Sequence, residues 1–175
     1  MRLSHRIIIL LFLLIVSRLG ITATNPTFEI YLTENKTDNL HKAILNKKPI
    51  ITAADIISYD WNKHEIVLTD AGKRKLPTVE DIGVHGRSFI VVANGVRCYM
   101  GAFWTSLSSF DHPDTVINIG PYWDNRPANI IRIERAYPSD KIAKGADKRN
   151  NRMIYEALSG LNKIIPKMDQ IRISK

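Results

Sequence analysis

The sequence predicts an α+β domain on a small, mainly antiparallel sheet of about four to six strands, with helices on one face. Three observations carry this. Short alternating or fully apolar segments recur between residues 27 and 133, each bounded by turn residues. Two of them are joined by Asn94-Gly95, a dipeptide that favours a two-residue hairpin. Later, Met153, Ile154, Ala157, Leu158 and Leu161 recur at helical spacing, so Asn151 to Leu161 is expected to form an amphipathic helix.

The elements follow in order. Phe28, Ile30 and Leu32 alternate with polar neighbours and define a strand with one buried side. Leu40 to Leu45 suggests a short helix, broken by Pro49. Thr52 is placed to cap a turn with Asp55 behind it. Ile56 to Trp61 and His64 to Leu68 pair as a hairpin around Asn62-Lys63. Thr69 caps a short helix that ends at Pro77, and Val79 to Gly83 reads as a connection. Ser88 to Ala93 is apolar on both sides and suits a central strand, with Val96 to Met100 returning beside it. Val116–Ile119 and Ile130–Ile133 are two further short strands, with a proline-containing loop between them.

Composition sets the outer limits. Of 175 residues, 45% are hydrophobic and 24% charged, which suffices for one core and excludes wholesale disorder. The mean hydropathy of −0.13, with only one long apolar run, excludes a polytopic membrane protein. A single cysteine, Cys98, excludes an internal disulfide framework and a cysteine-based zinc site.

That apolar run, Ile7 to Val16, follows Arg2, His5 and Arg6 and is closed by Arg18. A basic stub before such a run reads as a secretory signal, and the run falls short of the about 20 residues a spanning helix needs. The cleavage position is irregular, since Ile21-Thr22-Ala23 has a large first residue and Thr22-Ala23-Thr24 ends on threonine. A membrane anchor through residues 7–23 and a buried N-terminal helix remain as other readings. A signal or an anchor makes the rest extracytoplasmic: secreted, periplasmic or held at the membrane. The expected division is a leader at 1–24, an α+β head at 25–134 and a basic C-terminal extension at 135–175. That extension holds ten Lys or Arg against four Asp or Glu.

Residues 50–109 carry a further pattern. Ile51-Thr52-Ala53-Ala54-Asp55-Ile56 is followed by Ile66-Val67-Leu68-Thr69-Asp70-Ala71-Gly72 and then by the apolar strand ending at Asn94-Gly95. This segment resembles the head of the first periplasmic domain of SecD, a subunit of the bacterial protein-export machinery. The resemblance implies a ferredoxin-like sandwich and a post near exported or envelope proteins. It covers about a third of the chain, through turn and cap motifs that speak to fold rather than activity.

Chemistry-bearing motifs are sparse. There is no Gly-x-Ser-x-Gly elbow, no His-x-x-x-His pair and no glycine-rich phosphate loop. No catalytic residue, metal ligand or cofactor is therefore expected. Cys98 falls with Val96 and Met100 on one strand face, as a core thiol. Arg97 and Tyr99 fall on the other, and Trp104 and Ser106 follow closely. An arginine beside aromatic rings suits an anionic group or a peptide, so Arg97, Tyr99, Trp104 and Ser106 are the candidate ligand-binding residues. The function expected is a non-enzymatic envelope protein that binds protein or envelope partners. One alternative is an exported hydrolase around Ser106 to His112. Another is a basic protein whose residues 135–175 bind an anionic surface. Nucleic acid is disfavoured by the leader and by the few aromatics in the basic segment.

Overall fold

The computed structural model describes residues 25–120 and 125–165. The predicted leader and the last ten residues of the basic extension lie outside the described residues. Among the described residues nine strands form one sheet: β1 (Phe28–Leu32), β2 (Ile51–Thr52), β3 (Ile56–Asp60), β4 (Glu65–Leu68), β5 (Arg87–Ala93), β6 (Val96–Trp104), β7 (Val116–Asn118), β8 (Ile130–Glu134) and β9 (Ile164–Ile165). Their order is β2-β1-β5-β6-β7-β8-β4-β3-β9, and only β6–β7 and β3–β9 run parallel. Among the described residues three short α-helices accompany them: α1 (Asp70–Lys73), α2 (Val79–Ile82) and α3 (Arg152–Gly160).

The class is thus α+β and mainly antiparallel, but the sheet is not small. It exceeds the expectation because β2 and β9 span only two residues each, too few to show a period in sequence. The segment 40–45 is not helical either. Asn39 Oδ1 accepts the His41 and Lys42 N–H groups, and Asn35 Oδ1 accepts that of Ile44, which fixes a chain of turns. Val79 to Ile82, read as a connection, is one helical turn closed by a capping box between Thr78 and Asp81.

The sheet curls because its topology requires it. β2 ends one side of the strand order and β3 lies next to last on the other, yet only Ala53–Asp55 separates them in sequence. This single 3₁₀ turn spans the seam of the roll. Asp55 secures it. Its Oδ2 accepts the Thr52 N–H and hydroxyl, both at 2.9 Å, and its two oxygens accept from Lys75 Nζ at 2.7 and 2.8 Å. Burial works to raise the Asp55 carboxyl, but the bonds from Lys75 and Thr52 outweigh it and hold the group below its ordinary range. The Asp55 carbonyl in turn accepts the Thr69 N–H, which starts α1. A Cβ on Gly72 would stand 2.6 Å from that carbonyl oxygen, so glycine is what lets α1 lie against the seam.

The roll has a filled interior. Phe28, Ile30, Ile66, Leu68, Phe89 and Ile131 all point inward, and Ile154, Ala157 and Leu158 of α3 plug the opening. The helical part of the basic extension therefore belongs to the same core as the strands before it, and β9 adds a strand beside β3. β5 is buried on both faces. Its Phe89, Val91 and Ala93 meet the interior, while Ile90 and Val92 lie under Leu40, Ala43 and Leu45 of the loop outside the roll.

The β5–β6 hairpin turns at Asn94 (φ 51°) and Gly95 (φ 75°), the two positive angles of the expected turn. Its register then slips: Val92 opposes Arg97 but Val91 opposes Tyr99. Cys98 is the extra residue of a β-bulge. Arg97 and Tyr99 consequently do not share a face, contrary to the alternation read from the sequence.

Asp55→Ala should lower stability by about 2–3 kcal/mol, because it strands a buried N–H and an ammonium that the carboxylate now satisfies. Lys75→Met should cost about 1 kcal/mol or less, its side chain being half exposed. Urea unfolding midpoints compared at constant slope test both.

Candidate functional site

The four predicted ligand residues are dispersed. Arg97 donates from Nη1 to the Leu40 and Ala43 carbonyls at 2.8 and 2.9 Å, so it clamps the outer loop onto the sheet. Tyr99, 3% exposed, is turned by the bulge into the interior beside Phe89. Trp104 is equally buried, covered by Gly86 and by the rings of His112 (4.9 Å) and Tyr137 (6.2 Å). Ser106 is half-buried, and its carbonyl accepts the Tyr137 hydroxyl at 3.4 Å. These residues present no common surface.

The serine loop is committed elsewhere. Ser108 donates its hydroxyl to the Val84 carbonyl at 2.7 Å, and His112 Nδ1 lies 3.0 Å from the Asp114 carbonyl. No group of three His, Cys, Asp or Glu side chains is placed to hold a metal among the described residues.

A different region gathers the perturbed groups: the mouth of the roll, where β3 turns into β4. Asp60 Oδ1 accepts the Asn62 and Lys63 N–H groups at 2.9 and 3.1 Å, which tightens the turn. The turn ends at His64 in the left-handed region, φ 52°. That conformation is uncommon outside glycine, though histidine tolerates it better than most. It brings the imidazole inward to 6% exposure, with Nδ1 3.1 Å from the Tyr59 hydroxyl. Burial, and then the charge of Arg149, push the His64 pKa down. Burial pushes the Tyr59 phenol up. The pair is therefore neutral at pH 7, and in either tautomer Nε2 is left without a partner among the described residues.

Arg149 comes from the loop before α3. It donates from Nη1 to the Ile133 carbonyl of β8 at 3.0 Å, and from Nε and Nη2 to the two Asp147 oxygens at 2.9 and 2.7 Å. Such a two-point pair fixes both groups. The bonds from Arg149 hold Asp147 below the usual carboxylate range. Asp140 stands 4.0 Å from the same guanidinium. On β8, Arg132 pairs with Glu65 directly across the ladder on β4. Trp61 is fixed by three rings, Tyr155 at 5.0 Å, Tyr59 at 5.7 Å and His64 at 5.8 Å.

Of these, Trp61, His64, Arg132, Asp140, Asp147 and Arg149 line an open cavity of about 580 Å³, within the size range of small-molecule sites. Tyr99 is the one predicted residue whose electrostatics reach it. Burial raises its phenol most, and the neighbouring Tyr59, Arg149 and Asp147 also act on it. A cluster of shifted groups around a cavity is a physical marker of a functional site. Sequence reasoning missed it because Tyr59, Trp61 and His64 fall in a segment read only as a hairpin, and Arg149 falls in the basic extension far along the chain. The only local signal was a histidine closing a hairpin turn.

The chain matches no protein-family model, no curated protein and no solved structure.

Two outcomes follow from this geometry. Native His64 resists protonation, whereas the unfolded chain takes up a proton near the ordinary value of 6.5. Stability should be full above that pH and decline as pH falls through and below it, because the unfolded state then binds more protons. Thermal midpoints between about pH 7.5 and 5 should show this slope, and His64→Gln should flatten it. Arg97→Met should free residues 33–46, seen as faster proteolytic cutting there with the roll intact.

Proposed function

We propose that this chain is an exported, non-enzymatic binding module that recognises an envelope component in the mouth between Trp61, His64 and Arg149. One observation carries the reading. The mouth is concave, and its arginines are each paired with a carboxylate while a neutral His64 and Trp61 line it. A histidine kept neutral by burial and an arginine bound to its own carboxylate make a recognition surface. The basic stub and apolar run at Arg2 to Val16 support export.

The resemblance of residues 50–109 to the SecD head supports a station among exported or envelope proteins. It concerns turns and caps within β2 to β6. In the roll, the β3–β4 and β5–β6 hairpins are separated by β7 and β8, so the likeness rests on the individual turns and caps rather than on how the hairpins pack together. The anionic-surface reading has less support. Lys148, Arg149 and Arg152 of the basic extension are each paired, with Asp114, Asp147 and Glu156.

Two measurements test the proposal. A fusion of the full chain to a phosphatase that is active only outside the cytoplasm should be active, and removal of residues 2–24 should silence it. Native mass spectrometry of the protein taken from its own envelope fraction should show a retained small molecule. That molecule should be lost in Trp61→Ala and kept in Ser106→Ala, with both variants folded by circular dichroism. An inactive fusion would remove the export half. Equal retention by both variants would remove the mouth as the site.

A further inference from the structure

We infer that the ligand of this mouth is a neutral saccharide unit; the inference rests on the mouth being the binding site. Arg149 is committed to Asp147 and to the Ile133 carbonyl, and Arg132 is paired with Glu65. Lys63 is 66% exposed and lies 3.9 Å from Asp60. An anionic ligand would have to break one of these pairs or settle for a solvated lysine, and either costs more than it returns. A cationic ligand would find only Asp140, 61% exposed and already facing Arg149. Neither sign of charge has a prepared counterpart.

What is prepared is neutral. His64 offers Nε2 from an uncharged ring, and the amides of Asn62 and Asn150 line the same cavity. Each amide supplies both donors and acceptors, as sugar hydroxyls require. The unshared lone pairs of Asp147, paired with Arg149, and of Asp140, 4.0 Å from the same guanidinium, add acceptors. Trp61 supplies an apolar ring wall, and its three aromatic neighbours fix its tilt before any ligand arrives. A pyranose presents both faces this mouth needs: C–H groups for the indole and hydroxyls for the amide and imidazole groups. The open cavity of about 580 Å³ is large enough for more than one such ring.

The test is a titration of the full chain with maltotriose, cellotriose and chitotriose, against a sulfated heparin tetrasaccharide, read by tryptophan fluorescence and calorimetry. At least one neutral trisaccharide should bind with Kd between about 10 μM and 1 mM. Its affinity should change less than about twofold between low and about 0.5 M salt, since no ion pair is formed. Trp61→Ala should weaken it about tenfold or more, Trp61→Phe should restore much of it, and Ser106→Ala should leave it unchanged. Binding of the sulfated probe alone, lost with rising salt, would overturn the inference. So would the absence of binding by all three neutral sugars up to about 10 mM, which lies below any specific affinity. In that event a small molecule still retained by the wild type and lost in Trp61→Ala would show that the mouth binds and only the ligand class is wrong.

Discussion

Asp55 sits where the two ends of the strand order meet. Three residues carry the chain from β2, at one margin of the sheet, to β3, beside the other margin. Such a short bridge is possible only if nine strands curl until those margins are neighbours. The carboxylate makes the bridge rigid by satisfying the backbone of Thr52 while drawing Lys75 down over it. Its desolvation is unfavourable, and four hydrogen bonds from two partners offset it. A neutral side chain of the same shape would leave the ammonium and the amide without that common acceptor.

The curl creates an inside and an outside, and the two faces of each strand acquire different duties. On β5 the inner face packs against the plug of α3, and the outer face is roofed by the 33–46 loop. The roof is held by Arg97, whose guanidinium closes two carbonyls that the turns of the loop leave open. The bulge at Cys98 makes this possible. It lets Arg97 stay outside while Tyr99, two residues on, moves inside toward Tyr59 and Arg149. One inserted residue therefore divides what looked like a surface pair into a loop clamp and a buried phenol.

These particulars explain what was legible in the sequence. Local signals survived: the alternation of Phe28 to Leu32, the cap at Thr69, the Asn94-Gly95 turn and the apolar helix of Met153 to Leu161 all correspond to observed elements. They depend on periods and caps that neighbouring residues impose. The strand count was not legible, because a two-residue strand such as β2 or β9 exists only through the partner it pairs with. The bulge was not legible either, since nothing in Val-Arg-Cys-Tyr-Met marks which residue goes unpaired. The mouth was the least legible of all. His64 and Arg149 lie 85 positions apart in number, and their meeting depends on β4, β8 and the loop before α3 being laid side by side.

The same long-range assembly explains why the mouth is electrically quiet. Burying an unpaired ion is costly, and the arginines of the mouth arrive with a counter-charge from nearby in the chain or across a ladder. Asp147 precedes Arg149 by two residues, and Glu65 faces Arg132 in register. His64 has no such counter-charge. It meets the phenol of Tyr59 and the ring of Trp61, and burial with the charge of Arg149 outweighs the fields of Asp147, Asp60 and Asp140, so its neutral form is the one this surrounding permits. The stability of the roll and the chemistry of its mouth thus have one origin. Pairing that makes buried charge tolerable also engages the arginines of the cavity, and what remains for a ligand is hydrogen bonding and an aromatic wall.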